Sequence, residues 1–109
     1  MQQAKAEQQN LINVDELVEG KLWWAGKQAG GYRNHCATPM IPVTPGAFYY
    51  MDRNSNSQNN CSYFDSNQQY LRQVAWESAP ITKEIPSDVY YIGITIGIAY
   101  KDTAVFKKV

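Results

Sequence analysis

The stretch Val89-Tyr90-Tyr91-Ile92-Gly93-Ile94-Thr95-Ile96-Gly97-Ile98-Ala99-Tyr100 decides the fold class. At the two-residue period of a strand, Tyr90, Ile92, Ile94, Ile96, Ile98 and Tyr100 share one face. Val89, Tyr91, Gly93, Thr95, Gly97 and Ala99 share the other. A helical period would scatter the isoleucines around the axis, so the alternation predicts a long β-strand with one core-facing side and one small, flat side. Twelve extended residues would span about 40 Å, far longer than an ordinary strand, which predicts a bulge or bend at Gly93 or Gly97.

Outward from this strand, short apolar segments alternate with turn signals. Strands are predicted at residues 11–14, 21–24, 47–51, 61–64, 69–76 and 104–109, with residues 32–39 starting extended. Residues 15–20 read as a turn or one helical turn, and residues 25–31 as a loop because they hold three glycines. Thr44-Pro45-Gly46 has the pattern of a type II turn. Residues 52–60 form a polar loop, and Asp65-Ser66-Asn67 a tight turn between hairpin strands. Residues 77–83 connect, Ile85-Pro86-Ser87-Asp88 launches the long strand, and Lys101-Asp102-Thr103 ends the segment after it. The pattern predicts one all-β domain over residues 11–109, an antiparallel β-sandwich. The Gln-rich residues 1–10 carry no sustained apolar stripe and read as a short N-terminal extension, helical or disordered.

The 109 residues carry ten basic and ten acidic side chains, for a formal net charge of zero. Dispersed cations at zero net charge argue against nucleic acid as a partner. Asn, Gln, Ser and Tyr fill a sparsely charged surface, which points to residence in an assembly. No apolar run reaches membrane-spanning length, so no membrane insertion is expected. The first ten residues lack the apolar region of a signal peptide, which suggests folding in reducing cytoplasm. Cys36 and Cys61 fit no metal spacing; two buried thiols are the favoured state, with a disulfide left open.

The chemistry-bearing residues are few. His35 is the single histidine, and its neighbour Cys36 would face the opposite way in an extended chain, so no Cys-His pair is expected. The clustered acids Asp15, Glu16 and Glu19 read as turn or solvated residues. Gly26, Gly30 and Gly31 are followed by no Lys-Ser/Thr pair and match no phosphate loop. No catalytic residue, metal site or cofactor is expected.

Three tryptophans and eight tyrosines are many for so small a chain. Most should be core. Trp23 and Trp24, adjacent in a strand, must face opposite ways, and an exposed indole can stack on the C–H face of a sugar while amides bond its hydroxyls. Trp24, Tyr32 and Trp76 border the polar loops and are the candidate glycan-binding residues. Gly93, Thr95, Gly97 and Ala99 are the candidate oligomer interface, since a face this small admits another backbone.

Three segments together resemble a known pattern: Ile41-Pro42-Val43-Thr44-Pro45-Gly46-Ala47-Phe48-Tyr49, Tyr63-Phe64-Asp65-Ser66-Asn67-Gln68-Gln69-Tyr70-Leu71, and Ile85-Pro86-Ser87-Asp88-Val89-Tyr90-Tyr91-Ile92-Gly93-Ile94. Their order is similar to the small jelly-roll domains of phage fibres, baseplates and head decorations, which also occur as carbohydrate-binding-like modules of bacterial surface proteins. The likeness covers residues 11–98. It implies a jelly-roll sandwich and a non-enzymatic virion structural protein, a fibre, tail-tip or head-decoration domain. Such a protein would be assembled in the host cytoplasm beside other virion proteins. A homotrimer and a role in host attachment through a cell-surface glycan are further expectations. The alternative is a carbohydrate-binding module of a bacterial surface or secreted protein. The matching motifs are architectural and carry no catalytic residue across. The Trp-Trp pair, the Asn/Ser-rich loop and the residues beyond the last core strand depart from the pattern.

Overall fold

The computed structural model describes residues 9–53, 60–76 and 80–109. Eleven strands form among them: β1 (Val18–Glu19), β2 (Lys21–Trp24), β3 (Lys27–Gly30), β4 (His35–Ala37), β5 (Ile41–Pro42), β6 (Phe48–Asp52), β7 (Asn60–Phe64), β8 (Tyr70–Ala75), β9 (Ile81–Glu84), β10 (Tyr91–Gly97) and β11 (Val105–Lys108). The described helices are single 3-10 turns at Val14–Glu16 and Ile98–Tyr100. Every strand pairing is antiparallel.

Strand β10 is the centre of the larger sheet, ordered β1-β4-β10-β7-β8 with β5 also on β10. A second sheet is ordered β11-β6-β9, and β2 pairs with β3 as a hairpin. Ile92, Ile94 and Ile96 are fully buried, as their spacing predicts. They pack in one core with Cys36, Cys61 and Tyr63 from their own sheet and Tyr49, Met51 and Phe106 from the smaller one. The Tyr49 and Phe106 rings stack 5.0 Å apart. Two antiparallel sheets sharing one core are compatible with a β-sandwich.

The long strand ends where glycine was expected to bend it. The chain leaves the ladder at Gly97 and closes the 3-10 turn Ile98–Tyr100. Its preceding turn forms as read, with the Val89 N–H donating to Pro86 O. The Pro45-Gly46 turn closes through Ala47 N–H to Thr44 O at 3.1 Å. The Asp65 carboxylate accepts from the Asn67 and Gln69 N–H groups, which fixes the β7–β8 turn.

Other expectations change. Residues 11–14 join no ladder as a strand; instead Leu11 N–H donates to Phe106 O, and the Asn10 side chain bonds Ala104 O and Phe106 N–H along β11. Val14–Glu16 then turns as a 3-10 helix capped by Asn13. Residues 27–30, read as loop, are β3. Of the predicted connector 77–83, residues 81–83 belong to β9 and residues 77–79 lie outside the described residues. Residues 1–8, most of the predicted extension, and residues 54–59 of the polar loop lie outside the described residues.

The hairpin covers the second face of β10. Trp23 packs with Ala37 and Phe64 in a separate cluster, and Thr95 Oγ1 accepts from Trp23 N–H at 2.8 Å. This corrects the proposed oligomer interface. Gly93 and Thr95 are buried beneath Trp23 of the same chain, and Gly97 is buried in its pairing with His35. Ala99 is exposed but sits in the 3-10 turn, off the strand. The small residues at 93 and 95 admit the chain's own hairpin.

Candidate glycan-binding cleft

Trp23 and Trp24 face opposite ways, as adjacent strand residues must. Trp23 is 4% exposed and Trp24 58%. The inward indole fixes the outward one. Trp23 Nε1 donates to Thr38 O at 2.8 Å, and Gln28, its partner across the hairpin, donates to the same oxygen. Thr38 also accepts the Ile94 N–H through its hydroxyl, where Pro39 interrupts the edge between β4 and β5.

The hairpin tip is held separately. Gln73 Oε1 accepts from Ala25 N–H and from the Ser62 hydroxyl, while Gln73 Nε2 donates to Trp23 O. Ser62 Oγ in turn accepts the Gly26 N–H. Ala25 and Gly26 both adopt positive φ, 50° and 81°, as a two-residue hairpin turn with the right twist requires. Gly26 is further constrained because a Cβ there would press on Tyr70 at 2.8 Å.

Leu22 shares the outward face of β2 with Trp24. It forms the buried wall of a cleft of about 240 Å³, whose other lining residues are Trp24, Tyr32 and Asn60. Tyr32 is 42% exposed. Its N–H donates to Gly20 O, and its ring meets His35 edge-on at 6.5 Å. Two of the three sequence-predicted aromatics therefore converge on one cleft. The third does not. Trp76 is fully buried, donates from Nε1 to the Tyr63 hydroxyl at 3.0 Å, and packs edge-on against Phe106. It is a core residue and cannot be a sugar platform. Leu22 and Asn60 were not singled out. Leu22 was readable from its two-residue spacing to Trp24; Asn60 arrives from β7 and has no local signal.

His35 and Cys36 lie on opposite faces of β4, with Cys36 in the core and His35 half-buried. Both cysteines are free and buried. Burial pushes each thiol up to about 11, so neither is a ready nucleophile. The open disulfide alternative fails on geometry. Cys36 and Cys61 sit on β4 and β7, the two strands flanking β10. Two strand spacings, about 9.5 Å, exceed the ~4.4–6.8 Å between bridged Cα atoms.

Among the described residues, no group of three His, Cys, Asp or Glu side chains is placed to hold a metal ion. No described helix is long and apolar enough to cross a membrane. No protein-family model, curated protein or solved structure matches the chain.

Proposed function

We propose that this chain is a non-enzymatic attachment domain that holds a glycan in the Trp24–Tyr32 cleft. One observation carries the reading: two large exposed aromatics flank a cleft beside the Asn60 amide, and the backbone presenting Trp24 is pinned by buried side chains. A pre-positioned aromatic plate with a neighbouring amide suits a pyranose, which offers an apolar face and a rim of hydroxyls. The absence of an enzymatic role rests on the single histidine, its separation from Cys36, and the raised thiols.

The virion setting, as a fibre, tail-tip or head-decoration domain, rests on the three-segment resemblance and the neutral, amide-rich surface. The jelly-roll assignment belongs to the same proposal; the fold contributes two antiparallel sheets around one core. The threefold assembly loses the face it was built on and is not carried forward. A carbohydrate-binding module of a bacterial surface protein would use the same cleft in another setting.

A glycan array probed with the wild-type protein and with Trp24→Ala and Tyr32→Ala tests the site. Binding that either substitution removes supports it. A blank array, with cell adsorption unchanged by both substitutions, overturns it. Peptides of this chain in purified virions, read by mass spectrometry, would support the virion setting; their absence would leave the bacterial module.

A further inference from the structure

The hairpin that presents Trp24 also sets a cation beside it. Trp24 pairs directly with Lys27 across β2–β3. Directly paired residues share a face, with Cβ atoms about 4.5–5.5 Å apart. The Lys27 side chain is exposed and makes no hydrogen bond or ion pair among the described residues. Its ammonium, on a flexible four-carbon stem, reaches the edge of any ring stacked on Trp24.

The stretch of chain that builds the hairpin carries no carboxylate. Residues 20–51 include Lys21, Lys27 and Arg33 but no Asp or Glu. Glu19, the acid just before this stretch, pairs with Cys36 and so shares the core-side face of the sheet, opposite the hairpin. Strand β7, which brings Asn60, carries no charge. The hairpin thus sets Lys27 on the cleft face beside Trp24, with no acid of its own to oppose it.

We infer that the sugar held there is anionic: a pyranose bearing a carboxylate, sulfate or phosphate, stacked on Trp24 with its charged substituent at Lys27. The inference rests on the glycan reading of the cleft and deepens it. An anionic partner matches the charge of the rim, and a charge-assisted hydrogen bond adds the direction that stacking lacks.

Calorimetric titration with oligogalacturonate and with its neutral methyl ester tests this. Sulfated and unsulfated galactan oligosaccharides form a second matched pair. Each is titrated into the wild type, Lys27→Gln and Trp24→Ala at low and high salt. At least one anionic member should bind better than its neutral twin, more weakly at high salt. Lys27→Gln should weaken that binding about fivefold to tenfold and leave the neutral sugar unchanged, while Trp24→Ala should remove both. The two pairs tell carboxylate from sulfate. Equal binding of charged and neutral twins, unmoved by Lys27→Gln, overturns the anionic inference and leaves the glycan reading standing. No binding in either pair, with a blank array, overturns both.

Discussion

The indole of Trp23 occupies the space that a side chain on Gly93 would need. The contact joins the hairpin to the central strand and explains why the face opposite the isoleucines carries a glycine at that position. The neighbour is a rigid ring, pinned by Thr95 and Thr38, and cannot swing aside. Gly93→Ala should therefore cost about 1–3 kcal/mol through overpacking. The expected readout is a lower urea midpoint with an unchanged slope.

The two adjacent tryptophans should separate stability from binding. Trp23→Ala removes a buried indole and its bond to Thr38 O, and should cost about 3–5 kcal/mol. Trp24→Ala truncates a mostly exposed side chain and should stay within about 0.5 kcal/mol of wild type. Denaturant melts of both variants, beside glycan binding by Trp24→Ala, check the contrast. A large stability loss in Trp24→Ala would make that residue structural.

The thiols carry a pH dependence of defined sign. Burial holds Cys36 and Cys61 protonated, pushing each from 9.0 to about 11. In the unfolded chain they ionise near 9. The native state thus retains protons that the unfolded state releases, and stability falls as pH rises from about 9 to 11. Below pH 9 both states hold the protons and the contribution is constant. Urea melts at pH 8 and pH 10.5 should show the loss, smaller in a Cys36→Ala/Cys61→Ala double variant. A thiol reagent at pH 8 should label neither cysteine until the protein unfolds.

Local pattern carried much of the fold. The alternation around Ile92, Ile94 and Ile96, the Pro45-Gly46 turn and the Asp65 turn depend on neighbours in sequence, and each was legible. Strand β3 was not. Its turn is Ala25-Gly26, which lacks the Asn-Gly signature of a tight hairpin, and three nearby glycines read as loop. The flat face of β10 was legible as a face needing a partner, but a linear pattern cannot say which partner. The structure supplies Trp23, 72 residues before Thr95. Trp76 misled because a polar loop beside an aromatic in sequence does not place its ring in solvent. Trp24 and Tyr32 were found from the rule of opposite faces and from their loops, whereas Asn60 joins them only through the pairing of β7.

Arg53 is the residue that no local pattern marked. It is fully buried, and its guanidinium donates to Thr95 O at 2.8 Å and to Trp76 O at 2.6 Å. Burial lowers its pKa from the ordinary arginine value, with Cys61 beside it opposing the shift. The planar fork ties β10 to the end of β8, and one ammonium cannot span the same two carbonyls. Arg53→Met fills similar volume but orphans both acceptors, each costing about 1–3 kcal/mol when buried without a partner. Arg53→Lys should recover only part of that loss. Hydrogen exchange should show the larger change in the Thr95 and Trp76 segments than in the β2–β3 hairpin tip, which Gln73 holds independently. Uniform exchange across the domain, or full stability in Arg53→Lys, would show that the fork does not couple these strands.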